Sequence, residues 1–183
     1  MTVPNLLTLA RISLTPVVVW LVLQDRLSSA FILFFVAGMT DAADGFIARY
    51  FNQKSRFGAY IDPLADKILL VSLFITLWYV GLVPLWLLVI TTGRDLMIVS
   101  GISRLYFSGI KVEMRPLVSS KATTFFQLLT VFLLLGSNLV TFPGEVYTGL
   151  FLVTAGFSIF SAARYFFLGL SLLRRHHSRS AQS

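Results

Sequence analysis

Four aspartates lie close together in the sequence, at Asp41, Asp44, Asp62 and Asp66. Asp41 and Asp44 are one helical turn apart, as are Asp62 and Asp66, so each pair shares a face of a helix. Four carboxylates at one place repel one another unless cations lie between them. Carboxylate oxygens suit Mg²⁺, Mn²⁺ or Ca²⁺, and the absence of cysteine argues against zinc. The pattern therefore predicts a divalent-metal site.

Small and basic residues accompany the first pair of aspartates. On a helical wheel, Gly45, Ala48 and Arg49 fall on the same arc as that pair. Small side chains leave room for a ligand against the backbone, and the planar donors of an arginine suit phosphate oxygens. Gly58, in the following connection, allows another close approach. Together these residues predict a site for a metal-bound diphosphate.

The chain around these residues is strongly apolar. Of its 183 residues, 56% are hydrophobic and only 13% are charged, against roughly a quarter charged in soluble proteins. Charge-free segments run over 27–40, 68–93, 122–144 and 146–163. A membrane helix needs about 20 mostly apolar residues. The net charge of +7 does not indicate nucleic acid, because the basic residues stand at the ends of apolar segments.

These segments predict an all-α, polytopic membrane protein with six transmembrane helices in a bundle. The predicted helices cover 5–23, 28–50, 61–80, 84–107, 117–137 and 144–172. Lysine and arginine concentrate in every second connection and in the C-terminal tail, which favours the cytoplasmic side for both termini and for the acidic cluster. We expect one membrane domain over 1–173 and a short, basic, disordered cytoplasmic tail over 174–183.

The acidic motif resembles a known family signature. The segment Asp41-Ala-Ala-Asp44-Gly45-Phe-Ile-Ala48-Arg49, followed by Gly58, Asp62 and Asp66, matches the CDP-alcohol phosphotransferase signature at every fixed position. The opening from Pro4 to Arg11, the Arg94-Asp95 pair and the Ser120-Lys121 pair are similar to sequences of phosphatidylglycerophosphate synthases or CMP-forming cardiolipin synthases of that family. The six-helix membrane fold of the family agrees with the helices predicted above.

The resemblance implies an enzyme that moves a phosphatidyl group from CDP-diacylglycerol to an alcohol and releases CMP. It implies that Asp41, Asp44, Asp62 and Asp66 surround two divalent ions, Mg²⁺ or Mn²⁺, and that Asp66 is the general base. The residues that it assigns to the nucleotide donor are Gly45, Ala48, Arg49, Gly58, Asn5 and Thr8. It also implies a homodimer among membrane lipids.

The acceptor is less closely defined. Arg94, Arg104 and Lys121, with Arg115, predict an anion site that suits a phosphorylated acceptor. Snorkelling explains Arg104 and Arg115 equally well, and Arg94 fits either a structural salt bridge or a ligand role. Glycerol 3-phosphate is the first expectation. Phosphatidylglycerol, which would make the protein a cardiolipin synthase, is the alternative, because Arg94-Asp95 is closer to those enzymes than to the Arg-Glu pair of the glycerophosphate-using ones.

Three alternatives to this enzyme class stay open. A buried aspartate–arginine pair is often structural in membrane proteins. An ion or proton carrier would place aspartates along a transport path, yet all four lie toward one side of the bilayer. A noncatalytic scaffold would not need the whole signature. The short chain, without an evident transit segment, favours a bacterial plasma membrane.

Overall fold

The computed structural model of the chain is built from α-helices. It describes the backbone over 3–50, 58–107 and 118–180, and the side chains over 12–40, 65–101 and 119–170. Six helices follow one another as α1 Val3–Leu23, α2 Leu27–Tyr50, α3 Gly58–Tyr79, α4 Leu85–Phe107, α5 Val118–Leu135 and α6 Gly144–Ser180. A 3-10 turn, Gly136–Asn138, follows α5, and these described ranges contain no strand.

The prediction of six helices is confirmed, and eleven of the twelve helix ends lie within three residues of their predicted positions. The end of α6 is the exception. We expected this helix to stop at 172, and it continues to Ser180. The helix therefore includes much of the segment expected to be a disordered tail. The domain boundary at 173 stays a prediction.

One compact unit of the chain comprises Met1–Pro84 and Leu128–Pro143. In this unit α1 packs against both α2 and α3. The buried face of α1 includes Val18 and Val22, and that of α3 includes Leu73 and Leu77. In each helix these residues are four apart, which places them one turn above the other on the same side. Burial of such apolar faces holds the helices that carry the signature.

A glycine allows one close contact in this first unit. The ring of Phe31 lies 4.8 Å from that of Phe132, centroid to centroid. A Cβ atom on Gly136 would come within 3.1 Å of the Phe31 ring. Because glycine has no Cβ, the 3-10 turn that follows α5 can lie directly against α2.

The second compact unit comprises Leu85–Gln127 and Gly144–Ser183, and in it α4 packs against α6. Hydrogen bonds attach the first part of α5 to α6. The hydroxyl of Thr123 donates to the carbonyl of Phe157 at 3.0 Å, and that of Thr154 donates to the carbonyl of Phe126 at 3.4 Å. The rings of Phe126 and Phe157 stack beside them at 4.8 Å. Hydroxyl-to-carbonyl bonds of this kind join helices in apolar surroundings.

Large apolar side chains are exposed on most of the helices. Examples are Trp20, Phe35, Leu96, Phe125 and Phe167. Extensive exposed apolar surface is typical of contact with a membrane. Within the described residues, Ser119–Asn138 and Gly144–Leu170 are long and apolar enough to cross a bilayer, and Ile12–Leu23 and Leu27–Thr40 are shorter apolar stretches. These helices agree with a membrane protein, and the bundle of six spans stays a prediction.

Two helices end in the same hydrogen-bonded turn. After α1, the amide of Arg26 donates to Leu21 and that of Asp25 donates to Val22. After α3, the amides of Leu82 and Gly81 donate to Leu77 and Trp78 in the same pattern. This is the Schellman motif, whose pivotal residue takes a left-handed conformation and is usually glycine. Gly81 has a φ of 82°, whereas at the equivalent place Asp25 has a φ of 58°.

The two turns predict opposite responses to substitution. Asp25→Gly removes the Cβ strain of the left-handed conformation and should raise the free energy of unfolding by about 0.5–1 kcal/mol. Gly81→Ala introduces that strain and should lower it by about 1 kcal/mol. Thermal unfolding in detergent measures both. Asp25→Asn, which removes the charge and keeps the Cβ, separates strain from electrostatics; a gain from Asn equal to that from Gly would contradict the strain argument.

Candidate active site

The signature residues are carried by α2 and α3. Asp41 and Asp44 lie in α2, whose helical backbone continues through Tyr50, and α3 begins at Gly58 and includes Asp62. Continuous helices place residues three or four apart on one face, as the sequence analysis assumed. The pairing of the aspartates along each helix therefore agrees with the backbone.

Most of the predicted donor and metal residues have side chains outside the described part of the structure. Their helices are nevertheless assigned: Asn5 and Thr8 lie in α1, Gly45, Ala48 and Arg49 in α2, and Gly58 in α3. Because α1 packs against both α2 and α3, the three helices that carry these residues belong to one compact unit. Their roles toward a donor or a metal stay predictions.

Asp66 is the signature aspartate whose side chain the structure describes. It is exposed, and it follows Ala65, which is buried. One turn further along α3, Leu70 is also buried. Leu70 lies one turn from Asp66, and the buried Leu73 and Leu77 continue the same row, so Asp66 lies on the packed face of α3 and its carboxylate is nevertheless exposed. An exposed carboxylate is accessible to a substrate hydroxyl, as a general base must be.

The donor set of the signature fits a hard divalent cation. It consists of carboxylates, which offer the oxygen ligands that Mg²⁺ and Mn²⁺ prefer. Among the side chains that the structure describes, no three histidines or acidic residues are grouped so as to hold a metal. Three of the four aspartates lie outside that part, and the metal site stays a prediction.

A polar centre occupies the interior of the second unit. Arg94 and Asp95 of α4 are 3% and 5% exposed, and they form an ion pair with 2.6 Å between Nη1 and Oδ1. Nη2 of Arg94 donates to Ser120 Oγ of α5 at 2.6 Å and to Ser161 Oγ of α6 at 3.0 Å. One guanidinium therefore connects α4, α5 and α6.

The sequence left two interpretations of Arg94, a structural salt bridge and a ligand role. The structure contains the salt bridge, with Asp95 as the partner. The ion pair carries no net charge, and its burial requires the accompanying hydrogen bonds to compensate for lost hydration. An acceptor-binding role for Arg94 stays a prediction.

The structure describes the other predicted acceptor residues to different extents. Lys121 is exposed in the first turn of α5, directly after Ser120. Arg104 lies in α4 with its side chain outside the described residues, and Arg115 lies outside them altogether. Arg94 and Lys121 thus belong to one unit but differ in exposure.

Sequence reasoning did not identify the hydroxyl partners of Arg94. A signal was present, because buried polar residues recur at helical spacing along both helices. They are Ser119, Thr123, Gln127 and Thr130 in α5, and Thr154, Ser158 and Ser161 in α6. Such rows on otherwise apolar helices indicate faces that turn toward other helices rather than toward lipid.

Comparisons with known proteins place these features in a family. The family model of CDP-alcohol phosphatidyltransferase matches residues 1–167. A CMP-forming cardiolipin synthase of Rattus norvegicus is 34% identical over an alignment of 185 positions, which covers 92% of this chain and 61% of the rat protein. The Homo sapiens cardiolipin synthase (CMP-forming) is 32% identical, with coverages of 92% and 62%.

A bacterial relative has a different name. The CDP-diacylglycerol–glycerol-3-phosphate 3-phosphatidyltransferase of Aquifex aeolicus is 35% identical over an alignment of 136 positions, which covers 72% of this chain and 74% of that protein. The chain spans about three fifths of the length of the two mammalian relatives. Since the family model covers nearly the whole chain, including both helices that carry the aspartates, this chain belongs to the CDP-alcohol phosphatidyltransferase family.

Proposed function

We propose that this protein transfers a phosphatidyl group from CDP-diacylglycerol to an alcohol and releases CMP. The observation that carries the proposal is the complete signature on α2 and α3, inside a family match over 1–167. The donor set of carboxylates suits two divalent ions, and the apolar helices suit a lipid substrate.

The reaction is a displacement at phosphorus. The acceptor oxygen forms a bond to the β-phosphorus, the bond from that phosphorus to the bridging oxygen breaks, and CMP leaves. Asp66 takes the proton of the acceptor hydroxyl, for which its exposed carboxylate is suited. Asp41, Asp44 and Asp62 would hold the metal ions, which when bound stabilise charge on the phosphates. Arg49 would bind the donor's phosphates.

We infer phosphatidylglycerol as the acceptor, with cardiolipin as the product. Support comes from the two mammalian relatives, both named as CMP-forming cardiolipin synthases and both matched over 92% of this chain. The Arg94-Asp95 pair, which forms the buried ion pair, is the local feature that resembles those enzymes. Glycerol 3-phosphate, the first expectation from the sequence, is the second candidate, and the name of the Aquifex aeolicus relative favours it.

The cellular setting follows from the same features. An integral membrane protein is proposed, with both termini and the site on the cytoplasmic side, because the basic residues concentrate in the alternate connections. A bacterial plasma membrane and a homodimer complete the proposal, the dimer by resemblance to the family.

The general base gives a direct test of catalysis. Asp66→Asn should lower transfer by about 10²–10⁴-fold, because the amide cannot accept the proton, while CDP-diacylglycerol still binds. The assay follows CMP release and lipid product with purified protein in detergent. Asp25→Asn, the same chemical change at an exposed residue between α1 and α2, is the matched control. Full transfer by Asp66→Asn would instead show that another group takes the proton, whereas a scaffold or carrier would give no transfer even as wild-type protein.

Metal dependence is tested with the wild-type protein. A chelator should abolish transfer, and Mg²⁺ or Mn²⁺ should restore it, because hard oxygen ligands bind these ions. Asp44→Asn should shift the metal concentration for half-maximal transfer upward by about tenfold or more, since a ligand charge is lost. Unchanged transfer after complete metal removal would contradict the two-metal site.

The acceptor is decided by product analysis. Phosphatidylglycerol and glycerol 3-phosphate are offered separately with CDP-diacylglycerol and Mg²⁺ or Mn²⁺. We expect cardiolipin and CMP with the first, and little phosphatidylglycerophosphate with the second. Phosphatidylglycerophosphate alone would reverse the order of the two acceptors. No CMP with either acceptor, from a folded and metal-binding protein, would overturn the proposed function.

A further inference from the structure

We propose that Arg94, Asp95, Ser120 and Ser161 form a positioning cluster, which fixes the first turn of α5 and thereby places Lys121 for the phosphate of the acceptor. Arg94 itself does not hold that phosphate. The inference rests on the proposed function, and it assigns the acceptor's phosphate to Lys121 and a supporting role to the buried arginine.

The hydrogen bonds of Arg94 to the two serines occupy Nη2 and leave Nε without a hydrogen-bond partner among the described residues. A guanidinium grips a phosphate with two neighbouring nitrogens, and each of its two such edges includes Nη2. The two protons on Nη2 are directed to Ser120 Oγ and Ser161 Oγ. A phosphate could bind in this bidentate way only after a serine bond is broken.

The charge of Arg94 is also compensated. Its Nη1 lies 2.6 Å from Asp95 Oδ1, and the side chains of the pair are 2% and 7% exposed. An approaching anion would be attracted by the arginine and repelled by the aspartate at almost the same place. The pair therefore offers an anion little net attraction, and both partners are shielded from a ligand arriving from water.

Lys121 has the opposite properties. It is exposed, and it forms no ion pair among the described side chains. It lies in the first turn of α5, where the positive end of the helix dipole also favours an anion. Arg164, the other exposed cation described in this unit, has its guanidinium carbon 6.0 Å from the centroid of the Phe160 ring.

The link between the two cations is Ser120. Its hydroxyl accepts from Arg94, and Lys121 is the next residue of the same helical turn. Ser161 extends the connection to α6, so the start of α5 is fixed from two neighbouring helices. A change in these bonds alters the placement of Lys121 without altering any charge.

The test removes the two serine hydroxyls and keeps both charges of the ion pair. In the variant Ser120→Ala/Ser161→Ala, we expect the acceptor KM to rise by about tenfold, with kcat and the KM for CDP-diacylglycerol within about twofold of wild type. Ser120→Thr/Ser161→Thr retains hydroxyls and should restore the acceptor KM. The control Ser100→Ala/Thr148→Ala removes two hydroxyls that donate within their own helices.

A second measurement asks whether the serines act through Lys121. Lys121→Met should raise the acceptor KM by about tenfold or more. In that background, the loss of both serine hydroxyls should add less than about twofold, because coupled residues are not additive. Fully additive effects would overturn the proposal.

Two further outcomes would also overturn it. If the serine variant keeps the wild-type acceptor KM while Arg94→Met raises it, Arg94 binds the phosphate itself. If the serine variant loses donor and acceptor binding equally, or fails to fold while the threonine variant folds, the cluster is only structural. Failure of the proposed function is a separate result, because wild-type protein would then release no CMP with either acceptor.

Discussion

A polar group enclosed among apolar helices must find its partners within the protein, because lipid offers none. This constraint determines where the chain keeps its charges. The Arg94–Asp95 pair is deeply buried and is accompanied by two serine hydroxyls. Asp25 and Glu145, by contrast, are exposed in a turn or at the beginning of a helix. The charges of Arg94 and Asp95 are thus compensated by fixed neighbours, whereas those of Asp25 and Glu145 remain accessible to solvent or headgroups.

The charges of the proposed site must also be compensated, but by bound ions rather than by other side chains. On the proposed function, the aspartates of α2 and α3 are compensated by metal ions, which are exchangeable. A negative cluster whose counter-ions can also bind phosphate is able to recognise a diphosphate donor. The ion pair of α4 has a permanent counter-ion and is less suited to bind a charged substrate. A group of charged side chains therefore indicates a binding site only when the protein does not supply all of the opposite charges itself.

Much of the fold was predictable because charges and turn residues mark the ends of the apolar segments. The connection after α3 contains Gly81 and Pro84, and that before α6 contains Pro143. The end of α6 was not predictable in this way, because 171–180 has neither glycine nor proline to stop a helix. A polar sequence alone does not end a helix whose preceding turns are already formed.

The signature of the candidate site could also be recognised in the sequence, because its residues are near one another in the chain and follow the period of a helix. The hydrogen-bond partners of Arg94 could not be predicted from the sequence, because Ser120 and Ser161 lie 26 and 67 residues away along the chain. Periodic buried hydroxyls indicate that a helix face is internal. They do not identify the side chain opposite, which depends on how helices distant in sequence are packed.

The length of α6 has a mechanical consequence. Its 37 residues extend for about 55 Å at the usual rise, whereas the hydrocarbon core of a bilayer is about 30 Å thick. Its apolar stretch, Gly144–Leu170, is itself longer than a perpendicular crossing requires. Tilting of a spanning helix absorbs such an excess. In a bilayer the inclination of α6 would therefore vary with membrane thickness, and Ser161, which binds Arg94, would follow that change.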